Sequence, residues 1–149
     1  MIAPIGATFP PNDVASEGEL LKIGYLDSRL VFDRLKPQYF YSEANRRVCE
    51  AQLAAHALRA PADARDVARW LRAHGRDAQV GGAPYLFVLI ETVNVRLDLV
   101  DHYVERVVDT WRARTLAWNF ERAAARLRLG GHWERVLALL ERENEGVAA

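Results

Sequence analysis

The sequence holds a single cysteine, Cys49, and a single methionine. One cysteine excludes an internal disulfide and any multi-cysteine metal site, and it fits a reducing compartment. Net charge is also missing: 20 basic side chains stand against 20 acidic ones, so no overall field draws the chain to nucleic acid or to an anionic membrane. No apolar run approaches a membrane span, and the opening Met-Ile-Ala-Pro-Ile-Gly has no basic leader. These absences give the expectation of a cytoplasmic protein without membrane contact.

Motifs for chemistry are absent too. No Gly-x-x-x-x-Gly-Lys-Ser/Thr loop is present to cradle a nucleoside triphosphate. Gly81-Gly82 is too short for a dinucleotide fingerprint, which also needs a preceding strand. His56, His74, His102 and His132 fall on different predicted helices with no His-Glu-x-x-His pair, and read as surface or helix-end residues. Cys49 lies among core positions of a helix and reads as packing. The carboxylate pairs Asp98 with Asp101 and Glu141 with Glu145 fit helix caps and solvated faces. No catalytic, cofactor-binding or metal-binding residue is expected, and the chain reads as non-enzymatic.

What the sequence does contain is helix. With 149 residues, half of them apolar, it is the size of one domain able to bury about two-thirds of its unfolded surface. Residues 1–11 include three prolines and read as an extended or disordered arm. Asn12 or Ser16 is expected to cap a helix through Leu26, and Asp27 a short one from Ser28 to Leu35. Phe40-Tyr41 should anchor the chain ahead of a helix from Ser42 to about Ala60, stopped by Pro61. Asp63 and Asp66 open another, with Val67, Trp70 and Leu71 facing inward. Val80 to Leu89 is the organising stretch: two glycines and Pro84 predict a sharp corner, and Tyr85, Leu86, Val88 and Leu89 a helix enclosed by protein on all sides.

Beyond Asp98 the apolar pattern lengthens. Val100, Tyr103, Val104, Val107, Trp111, Trp118 and the stretch from Phe120 to Leu127 form one seam, Gly130-Gly131 marks a reversal, and Trp133, Val136, Leu137 and Leu140 form a second seam. The expected fold is all-α: a small head of about five helices over residues 12–95, then a long antiparallel helical hairpin over 96–149, folding as a single unit with the head. So much aromatic surface on two helices needs a further partner, either the head or another copy of the chain. Trp111, Trp118, Phe120, Trp133, Val136, Leu137 and Leu140 are the candidate pairing residues. Arg112, Arg114, Arg122, Arg126 and Arg128 oppose only Glu121 and interleave with the rings. They read either as the wet face of the hairpin or as phosphate contacts for single-stranded DNA.

Several of these residues, taken in order, resemble one family. Pro10-Pro11-Asn12 before Glu17 and Leu20-Leu21, then Phe40-Tyr41 with Asn45-Arg46 and Val48, is similar to the opening of the N-terminal domain of DnaB-type replicative DNA helicases. Ala62-Asp63 with Val67-Ala68 and Leu71, Val80-Gly81-Gly82 with Tyr85-Leu86 and Leu89, and Val100 with His102-Tyr103 and Val107 continue the likeness over roughly residues 10–115. Asn45 stands where that family usually has histidine. The resemblance implies a helical head plus hairpin forming the N-terminal collar of a hexameric ring. In it hairpins pair into dimers, three dimers make the collar, and primase or a helicase loader docks on the surface. The family's ATPase motor lies in a separate domain.

Overall fold

Asp13 starts the first helix, α1 (Val14–Leu26), by accepting the Ser16 backbone N–H at 3.1 Å, one of the donors that every helix start leaves free. Ser16, one of the two residues expected to cap, lies inside the first turn and is buried. The computed structural model describes residues 10–92 and 94–149. The arm expected over residues 1–11 thus lies, up to residue 9, outside the described residues.

Asp27 does cap the next element, taking the Arg29 N–H at 3.1 Å, but that element is a single 3₁₀ turn (Ser28–Leu30) rather than a helix reaching Leu35. Val31, Phe32 and Leu35 are buried regardless, so the apolar pattern identified core positions there without identifying the backbone. A second 3₁₀ turn (Pro37–Tyr39) delivers Phe40, fully buried, to the start of α2 (Glu43–Ala57), which Ser42 caps. Helix α2 packs against α1, against α3 (Ala64–Ala73) and against α4 (Asp77–Val80). It stops before Pro61. Arg59 takes a left-handed φ of 52°, and the Ala60 N–H closes back on Ala55 O at 3.0 Å. Leu58 is left 81% exposed as a result, outside the stripe formed by Val48 and Ala51.

Helix α3 opens on a capping box: Asp63 accepts from the Arg65 and Asp66 N–H groups while Asp66 accepts from that of Asp63. The expected corner follows α4, with Gly81 and Gly82 both at φ 79°, and α5 (Ala83–Thr92) begins with Pro84 in its first turn. Leu86 and Leu89 are buried and α5 packs on α1 and α3, but Phe87 and Val88 are 47% and 52% exposed. The helix is therefore covered on one side, not enclosed: residues three apart share a face, and those between them point away.

A 3₁₀ turn (Leu97–Leu99) leads into α6 (Val100–Arg128), followed by α7 (Trp133–Ala148). The chain divides into two compact units. One is Asp13–Val108; the other joins Asp109–Ala149 to the described N-terminal residues Pro10, Pro11 and Asn12. In the first, one continuous core runs from Leu20, Leu21 and Ile23 through Phe40, Val48, Val67, Leu71 and Leu86 to Tyr103, Val104 and Val107. Burying each such side chain is worth about 1.5–3 kcal/mol. Among the described residues there is no strand, and no helix is long and apolar enough to cross a membrane.

Candidate interface on the helical hairpin

Gly130, at φ 85°, reverses the chain after α6, and the Gly131 N–H closes on Arg126 O at 2.9 Å. A Cβ at Gly131 would lie 2.8 Å from that same oxygen, so the tight reversal needs glycine there for space. Helix α7 then returns antiparallel to α6. Asn119 Nδ2 donates to Asn144 Oδ1 at 2.9 Å, and Glu143 draws Arg122 to 3.5 Å and Arg126 to 3.7 Å.

These links fix a seam unlike the one read from the apolar pattern. Its buried residues are Asn119, Ala123, Val136 and Val147, with Leu140, Glu143 and Asn144 half-buried. Of the seven candidate pairing residues, Val136 is buried and Trp111 and Leu140 are half-buried. The other four turn outward: Trp118 is 68%, Phe120 56%, Trp133 62% and Leu137 46% exposed. Helical register explains the correction, because Phe120 and Asn119 differ by about 100°, and Trp133 and Leu137 share a face one residue off the Val136–Leu140 line. The inner stripe combines asparagine and glutamate with alanine, valine and leucine; the rings of Trp118, Phe120 and Trp133 lie outside it.

Two further apolar residues join them. Leu127 shares the Phe120 face two turns on, and Leu129 at the reversal is 88% exposed. The bulky apolar residue just before Gly130-Gly131 was the sequence signal for Leu129. Below it an open cleft of about 500 Å³ is lined by Leu129, Gly130, Gly131, His132 and Arg135 among others.

The five candidate arginines are mostly engaged within the chain. Arg112 reaches Asp109 at 3.5 Å, Arg114 donates to Pro11 O at 2.7 Å, and Arg122 bonds Asn119 Oδ1 at 2.7 Å as well as Glu143. Arg126 also turns to Glu143. The side chain of Arg128, exposed in the last turn of α6, makes no hydrogen bond or ion pair with a described residue. Among the described residues no three His, Cys, Asp or Glu side chains gather as a metal site. Cys49 is buried, and that burial, helped by the charges of Glu50 and Glu17, pushes its thiol well above the ordinary range.

Comparison with known proteins agrees with this architecture. Residues 18–109 match the family described as DnaB-like helicase N terminal domain. The replicative DNA helicase DnaB of Mycobacterium leprae (strain TN) is 39% identical over 87 residues, which is 56% of this chain and 14% of that protein. The chain thus corresponds to a small part of the relative's length. The crystal structure of the N-terminal domain of DnaB helicase from Mycobacterium tuberculosis superposes with a TM-score of 0.82 at 30% identity, over 93% of this chain and 99% of that one.

Proposed function

Because this chain belongs to the DnaB-like helicase N-terminal domain family, we propose that it serves as a non-enzymatic collar module of a replicative DNA helicase. In this reading hairpins pair into dimers, dimers assemble further, up to a trimer of dimers, and the assembled surface docks primase or a helicase loader. What matches is the N-terminal domain and not the ATPase part, and the sequence has no P-loop.

The observation that supports the reading is the outward placement of Trp118, Phe120, Trp133 and Leu137 on a hairpin whose own seam does not use them. Aromatic residues carry much of the energy at protein interfaces, and several large apolar side chains exposed on one element mark an interaction site. Tryptophan emission tests it. Pairing should shift the emission to shorter wavelength as concentration rises, and Trp133→Glu with Leu137→Lys should abolish that dependence at unchanged helicity. Emission independent of concentration in the wild type would contradict pairing.

Direct binding of single-stranded DNA is a second reading with less behind it, since four of its five arginines already bond within the chain. Oligonucleotide titration at low salt, with affinity falling steeply as salt rises, would support it; no binding would remove it.

A further inference from the structure

The exposed face of α3 carries a row of arginines. Arg65, Arg69 and Arg72 are spaced four and three residues apart, so they share one side of the helix, turned away from the buried Ala64, Val67 and Leu71. Arg69 reaches Asp66 at 3.1 Å. The side chains of Arg65 and Arg72 make no hydrogen bond or ion pair with a described residue, although Asp63 at the cap feels the charge of Arg65. Like charges at these spacings repel along a helix, and a facing row of carboxylates would relieve them.

Such a row is present in the same chain. On α7, Glu134 and Glu141 are exposed and seven residues apart, the separation of Arg65 and Arg72. Seven residues of helix rise about 10 Å, so both pairs have the same spacing in space. Four residues after Glu134 stands the exposed Ala138; four after Arg65 stands Arg69, the arginine already paired with Asp66. Side by side and running in the same direction, the two helices would set unpaired charge against unpaired charge, and alanine against the paired arginine. Glu141 makes no ion pair with a described residue, and Glu134 has only His132 at 3.9 Å, charged only when protonated. Arg142 is exposed next to Glu141 but points about 100° away from it round the helix. Glu141 also follows Leu137 by four residues, so the glutamate row borders the outward apolar side chains. Pairing through Trp133 and Leu137 would leave that row at a polar rim, still open to another chain.

We propose that the arginine row of α3 docks on the glutamate row of α7 in a second copy of this chain, Arg65 facing Glu134 and Arg72 facing Glu141. A contact between two different faces is heterologous, so it joins one pair of chains to the next. Exposed ion pairs are individually weak, and the contact acts by adding to chains that their hairpins already hold together. In that respect it rests on the pairing reading.

Light scattering from the full chain in about 30 mM and about 500 mM salt tests it, since screening shortens the reach of exposed charges several-fold between the two. The expected mass exceeds that of a pair at low salt and falls to that of a pair at high salt. Arg65→Glu with Arg72→Glu should weaken the low-salt assembly about tenfold, as should Glu134→Arg with Glu141→Arg, each at unchanged helicity. The chain carrying all four changes should assemble as the wild type does, because reversing both rows restores their match. The mass of a pair at both salts, low-salt assembly indifferent to either reversal, or no recovery in the fourfold variant would overturn the proposal and leave hairpin pairing intact. A single-chain mass at both salts would remove both. Arginine reversal that abolished binding of a labelled oligonucleotide and left the mass unchanged would give the row to nucleic acid and overturn the proposal too.

Discussion

Glu17 is the residue on which the head is built most sensitively. It is 1% exposed, and its two oxygens accept from the Tyr41 and Ser42 N–H groups and from Asn45 Nδ2, joining α1 to the entry and first turn of α2. The Tyr85 hydroxyl in turn donates to Asn45 Oδ1, which extends the network to α5. Replacing Glu17 with Leu strands the buried Asn45 amide and two part-buried backbone donors, and chemical denaturation should register a loss of about 3 kcal/mol; a change below experimental error would show the network to be idle. Asp13 gives a pH signature. Burial raises its pKa, but the Ser16 N–H and the Arg106 guanidinium at 2.8 Å outweigh that, and the net shift is below the ordinary 3.8. A depressed carboxylate stabilises the fold above its unfolded pKa, and the benefit disappears as pH falls through the folded value. Asp13→Asn should therefore be less stable than wild type at neutral pH, with the deficit closing below pH 3.8. A deficit that persisted unchanged into acid would assign the loss to something other than charge. Glu17 was legible in outline, since a carboxylate stands three and four residues before Leu20-Leu21, at the spacing of the buried stripe; its partners were not, because they lie 24 to 28 residues away.

Among the elements, caps and corners were the most legible features and apolar faces the least. Asp27, Ser42 and Asp63 cap where their short polar side chains predict, because capping depends on groups two or three residues away. The end of α2 was less legible: Pro61 is an obvious stop, yet the chain turns two residues earlier through Arg59 in the left-handed region. Glycine takes that conformation without a Cβ penalty, so Arg59→Gly should stabilise the head by about 1 kcal/mol. Gly130 has the converse geometry, and Gly130→Ala should cost about 1 kcal/mol at the hairpin reversal. Thermal melts of the two variants should move in opposite directions; shifts of the same sign would refute this explanation of the two turns. The hairpin seam departs from its expected residues because periodicity reports that residues share a helix face, not which neighbour covers it. Trp133 and Leu137 keep the spacing of a packed stripe while facing away from the side chains that join α7 to α6.

For the whole molecule, that departure is the most informative feature. A hairpin that satisfied itself would bury its rings; this one holds together through Asn119–Asn144, Glu143 and the aliphatic side chains of Ala123, Val136, Leu140 and Val147, and leaves Trp118, Phe120, Trp133 and Leu137 to solvent. The family and the helical architecture could be inferred from motif order along the chain, and both agree with the matched domain and the superposed structure. Partner and stoichiometry could not, because they depend on surfaces that meet only between molecules. Whether the outward side of the hairpin joins copies of this chain is read most directly by sedimentation equilibrium over the micromolar range. Pairing predicts a mass of at least twice the 16.9 kDa chain, returning to 16.9 kDa in the Trp133→Glu, Leu137→Lys variant; a wild type that stays at 16.9 kDa throughout would contradict it.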